Sequence, residues 1–134
     1  VKGQTPIAFL EDKVREAERA VEFARRASRI AQRSKVEVDR ILSDAEAVLL
    51  VARFYLHKME AAAAKASGLE VKYKERMAVS LNDYRALTDL TRRTYESISD
   101  VPAWNPVRFK PDICPYHWAD ILPYFEKEME ALKY

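Results

Sequence analysis

"KVEVDRILSDAEAVLLVARFYLHKMEAAAAKASG", residues 35–68, decides the fold. Apolar residues recur in it every seven positions in three neighbouring series. Val38, Ala45, Ala52, Met59 and Ala66 form one; Ile41, Val48, Tyr55 and Ala62 form a second; Leu42, Leu49, Leu56 and Ala63 form a third. One such series marks an amphipathic surface helix. Three side by side give a broad apolar face, as expected of a helix central to a bundle. Ser34 and Glu37 have capping-box spacing and start this helix at Lys35, and Gly68 ends it as a C-terminal cap.

Upstream, Thr5 is a fair N-cap and Pro6 suits a first helical position. Ile7, Leu10, Val14, Ala17, Val21, Ala24, Ser28 and Ala31 then recur three and four apart, a stripe that faces a partner helix until a break near Arg33. Downstream, a third helix is predicted from about Glu70 to Ser99. Met77, Leu81, Tyr84, Thr88, Thr91, Tyr95 and Ile98 form its stripe, and Pro102 and Pro106 end it. A shorter helix follows from Pro115 or Asp120, reset at Pro123. The reading is all-α: an antiparallel helical bundle of three long helices, plus a shorter C-terminal helix lying across them after a proline- and tryptophan-rich loop.

A chain of 134 residues is one domain by size, 1–134. Only Gly3 and Gly68 are glycine, so phosphate-cradling glycine loops are absent. A formal charge of +2 is too near neutral to imply a nucleic-acid partner, and no apolar run reaches the roughly 20 residues that cross a bilayer. A single cysteine, Cys114, excludes an internal disulfide and a multi-cysteine zinc site. The first residue is Val1, with neither an initiator methionine nor a signal peptide. A mature or excised piece of a longer chain is therefore expected.

No residue set points to catalysis or a cofactor. His57 and Glu60 stand three apart in the order opposite to a di-iron Glu-x-x-His motif, and neither copy of that motif occurs. They read as solvated or locally paired, with no metal. Cys114, beside Pro115 and near His117, reads as a packed thiol rather than a nucleophile. Arg25, Arg26, Arg29, Arg33 and Lys35 could hold phosphates. They lack interleaved aromatics, sit where a helix dipole favours cations, and include an Arg26 placed to pair with Glu22, which makes them a solvated face.

The candidates for ligand or partner contact are Trp104, Tyr116, His117, Trp118 and Tyr124, in or just after the proline-rich stretch. Such rings stack on sugars or anchor protein interfaces. They equally anchor a long loop to its own bundle, and that plug reading is preferred, with Trp118 inward and Trp104 outward.

"YRALTDLTRRTY" (84–95), the proline and tryptophan stretch, and "HWADILPYFEKEME" (117–130) resemble a helical region near the C-terminal end of large, secreted bacterial glycoside-hydrolase-like proteins. "DAEAVLLVARFYLHKMEAA" (44–62) joins the resemblance more loosely. It implies a non-catalytic accessory domain that shores up a carbohydrate-active catalytic domain of the same parent chain or walls its cleft, in a secreted or periplasmic bacterial setting. Carbohydrate is then a possible contact. The family's acid/base carboxylates have no counterpart here, since 134 residues cannot hold the catalytic barrel. The alternative is a free-standing helical adaptor or a subunit of a larger assembly.

Overall fold

The computed structural model describes residues 3–96 and 117–133. Its order is α1 (Pro6–Ile30), α2 (Lys35–Ala66), α3 (Glu70–Thr91) and α4 (Trp118–Glu130), closed by a 3-10 turn, Ala131–Lys133. The all-α bundle expected from the sequence is what forms. α2 is its centre: α1 packs along one side of it and α3 along another, and α4 lies on α3. α1 makes no comparable contact with α3 or α4.

Local chemistry explains most helix ends. Thr5 Oγ1 accepts the Ala8 amide at 3.2 Å, and Pro6 follows at the first position. At the other end of α2, Gly68 has a φ of 71°. Its amide donates to the Lys65 carbonyl at 3.1 Å while Leu69 N donates to Ala64 O at 2.9 Å. This is a Schellman closure, which needs a residue comfortable in the left-handed region.

Three boundaries differ from expectation. The capping box at Ser34 does not form, because Ser34 is itself left-handed (φ 52°) and its hydroxyl caps nothing, whereas a capping serine needs extended backbone. The α1–α2 turn is latched instead by Asp39, which accepts from Ser28 Oγ at 2.5 Å and pairs with the Lys35 ammonium. The hydrogen bond from Lys35, then that from Ser28, holds the Asp39 carboxyl below its ordinary range. Its contribution is therefore present at neutral pH and fades as the pH falls through the lowered value.

α3 stops at Thr91, well before Ser99. There Thr91 Oγ1 donates to Leu87 O at 2.7 Å, Arg93 Nε to Asp89 O at 3.1 Å and Thr94 Oγ1 to Leu90 O at 3.1 Å. The Arg93 and Thr94 side chains thus reach last-turn carbonyls that further helix would have used, while the Thr91 hydroxyl back-bonds to a Leu87 carbonyl already inside the helix. In α4, Pro123 resets nothing. The helix runs through it, although Pro123 has no N–H to give the Ala119 carbonyl.

The stripes of α1 and α3 are inward as read: Ala17 and Val21 are buried, as are Met77, Leu81, Tyr84, Thr88 and Thr91. Ile98 lies outside the described residues. The three-row face of α2 needs correction. Its third series holds at the leucines, with Leu56 buried and Leu42 and Leu49 half-buried, but Ala47, Phe54 and Ala61, a row absent from that reading, are also buried, whereas Ile41, Val48 and Tyr55 are exposed. Phe54 joins Ala47, Tyr84 and Leu87 in one core cluster; Ala61, Ala64, Tyr73 and Met77 form a second.

Phe54→Ala should therefore cost about 3 to 5 kcal/mol in denaturant unfolding, as truncation of a buried ring does. Ile41→Ala, on the exposed row, should stay within about 0.5 kcal/mol of the parent. Equal losses at both positions would show the face of α2 to be wrongly assigned.

Candidate functional site

Of the residues singled out for contact, the described ones, His117, Trp118 and Tyr124, lie at the start of α4 or within it. His117 is the N-cap: its backbone N–H donates to Asp120 Oδ2 at 2.7 Å, and its Nδ1 accepts the Ala119 amide at 3.0 Å. A ring nitrogen that accepts an amide carries no proton, so the proton of this neutral imidazole sits on Nε2. Among the described residues that buried nitrogen has no hydrogen-bond partner. The ring stands edge-on to Trp118, centroids 5.7 Å apart.

Trp118 is half-buried against the first core cluster, and Tyr95 lies 5.7 Å away across it. The Trp118 carbonyl accepts the Tyr84 hydroxyl at 3.1 Å. The inward placement expected of this ring is what is seen. Tyr124 is 71 % exposed on the outside of α4. Trp104, Tyr116 and Cys114 lie outside the described residues.

Beneath this junction three rings meet, one from each of three helices. Phe54 is 5.0 Å from Tyr84 and 4.9 Å from Phe125, and Tyr84 is 4.7 Å from Phe125. With Trp118, Ile121 and Tyr55 they line a partly open apolar pocket of about 190 Å³. Lys58 lies 5.3 Å from the Phe125 ring centroid and pairs with Glu128 at 2.5 Å; Arg85 pairs with Glu126 at 2.9 Å.

His57 and Glu60 are cross-helix ties rather than surface groups. His57 Nδ1 is 2.6 Å from Asp83 Oδ2, both largely buried, and Arg76 Nε approaches Glu60 at 3.3 Å. The Asp83 partner lies 26 residues away, and nothing in a single sequence connects the two. Among the described residues no group of histidine, cysteine and carboxylate side chains could hold a metal. No helix of the described residues is long and apolar enough to cross a membrane. The basic run is largely occupied: Arg25 pairs with Glu46 at 3.0 Å, Arg26 with Glu22 at 3.8 Å, and Lys35 with Asp39.

A surface unmarked by the sequence reading lies on α1 and α2. The ion pairs Arg25–Glu46 (3.0 Å) and Glu18–Arg53 (2.8 Å) hold these helices antiparallel and occupy one flank of their contact. In the same register, the opposite flank sets Phe23 level with Val48 and Ile30 level with Ile41. Phe23, Ile30, Ile41, Val48 and Tyr55 are between 56 % and 79 % exposed. Small residues lie between the two ridges: Ala20 and Ala27, exposed, on α1 and Ala45 and Ala52, half-buried, on α2. One flank is polar and paired, and the other is an open apolar furrow. Compared with protein-family models, curated proteins and solved structures, the chain matches none.

Replacing Trp118 by alanine should cost about 2 to 4 kcal/mol, somewhat less than loss of a fully buried ring. Tyr124→Ala should stay within about 0.5 kcal/mol. In a Trp104→Phe background, Trp118 emission should be blue-shifted and resistant to quenchers. Red-shifted, readily quenched emission would place the ring outside the core.

Proposed function

We propose that this chain is a non-catalytic helical docking domain, seated on another protein surface through the apolar flank of α1 and α2. The carrying observation is the exposure of Phe23, Ile30, Ile41, Val48 and Tyr55 in one continuous area. Single exposed apolar residues are ordinary on a folded surface, but a contiguous area of this kind marks an interaction site. The chemistry elsewhere agrees. The His57–Asp83 pair ties α2 to α3, and the aromatic junction fastens α4, so the polar and ring clusters serve the fold itself.

Two settings fit this role. In one, taken from the resemblance, the domain is an accessory to a carbohydrate-active catalytic domain of the same parent chain. In the other it is an adaptor or a subunit of an assembly. Both need a rigid helical face rather than an active site.

Phe23→Glu and Val48→Glu test the reading, because these side chains support little within the chain itself. Measured at concentrations low enough to keep the chain monomeric, each should leave unfolding free energy within about 0.5 kcal/mol of the parent and reduce binding of an apolar dye. A loss of several kcal/mol would assign the flank to the chain's own core. Turnover of an aryl glycoside by the isolated domain would overturn the non-catalytic reading.

A further inference from the structure

The docking reading leaves open what covers the flank. We infer that its occupant is a second copy of this chain, giving a two-fold dimer in which α1 and α2 of each copy form one face of a four-helix layer. The inference rests on the docking reading and adds the partner.

Shape is the first argument. Each copy carries both halves of a helix-packing contact. Phe23 and Ile30 form a ridge along α1, and the furrow over Ala27 and Ala45 beside it is floored by methyl groups. An isologous contact needs one patch that complements itself, so that the ridge of each copy enters the furrow of the other. Ridges seat in grooves of this kind at axis separations of about 8 to 10 Å, which small floor residues permit.

Area is the second argument. The exposures of Phe23, Ile30, Ile41, Val48 and Tyr55, weighted by the size of such side chains, leave on the order of 650 Å² open per copy. That is within what each partner contributes at the lower end of a standard-size interface, roughly 600 Å², and at the upper end of the largest apolar patch usual on a monomer. Charge on the patch is sparse and not of one sign: Lys13 and Glu16, paired at 2.7 Å, lie between Phe9 and Phe23 on α1, and Asp44 lies between Ile41 and Val48 on α2, while Arg25, Glu46, Glu18 and Arg53 pair on the far flank. Bringing two copies together on this flank therefore strands no cluster of like charge, as a repeated patch of one sign would.

Sedimentation equilibrium of the isolated chain, from low to high micromolar loading, provides the test. The expected result is reversible association to twice the 15.5 kDa chain mass. Phe23→Glu and Val48→Glu should each weaken association roughly a hundredfold or more, since a carboxylate would be buried unpaired in the contact. Ala27→Lys, at an exposed position in a residue that favours helix, should weaken it similarly by filling the furrow. It also preserves the test if a glutamate variant fails to fold. A chain that stays monomeric throughout overturns the dimer and leaves the flank to a different protein. A dimer that survives all three variants overturns it as well, because the contact then lies elsewhere. Variants that lose helical circular dichroism would instead strike at the docking reading itself.

Discussion

The contact of Phe54, Tyr84 and Phe125 holds the second half of the molecule together. One ring comes from each of α2, α3 and α4, with centroids 4.7 to 5.0 Å apart. α4 has 13 residues, none of them fully buried, and a helix of that length is marginal by itself in water. Its ion pairs to Lys58 and Arg85 are partly solvated and contribute little. What fastens it is apolar packing, with the ring contact, Trp118, Ile121 and Leu122 on the first core cluster and Met129 on the second, together with the Tyr84 hydrogen bond to the Trp118 carbonyl. In return, α4 covers the apolar sides of α2 and α3 that α1 does not reach.

Helix existence was legible throughout the described residues, and burial was legible where a helix has one apolar stripe. α1 and α3 each alternate three-four spacing with charge, so only one face can be inward. α2 offers apolar residues in nearly every direction, and alanine occupies several rows at once. A seven-residue count cannot choose between Ile41, Val48, Tyr55 and Ala47, Phe54, Ala61, because both rows are apolar. The choice is made by α3 and α4, which supply Tyr84, Leu87 and Phe125 to the second row. Helix ends failed for a similar reason. Arg93 and Thr94 read as ordinary helical residues, yet their side chains reach the last-turn carbonyls of α3.

The candidate site was legible in part. Trp118 was read as inward because the aromatic stretch was read as a plug, and it lies against the core. His117 had no sequence signal for capping, since serine, threonine, aspartate and asparagine are the usual caps; its ring does the same work through Nδ1. Tyr124 and Phe125 are adjacent aromatics that differ in fate through helical geometry alone. A step of one residue turns the side chain by about 100°, sending Phe125 to Phe54 and Tyr124 to solvent. The His57–Asp83 tie depends on tertiary register, which periodicity does not encode.

A helix apolar on every side has to be covered on every side, and this is where α2 leads beyond its own chain. α1, α3 and α4 cover three directions and leave the row of Ile41, Val48 and Tyr55 open. α1 has the matching asymmetry. Two residues one step past its buried row, Glu18 and Arg25, are charged and bridge to α2, while one step before it stand Phe9, Phe23 and Ile30. Were both flanks simply solvated, composition would be free to mix on each. A flank cross-bridged between α1 and α2, opposite one that is mainly apolar and carries only the Lys13–Glu16 pair within α1, is the pattern of a bundle with a place left for further helices. Two helices contribute to it in one register, and that agreement gives the flank its meaning.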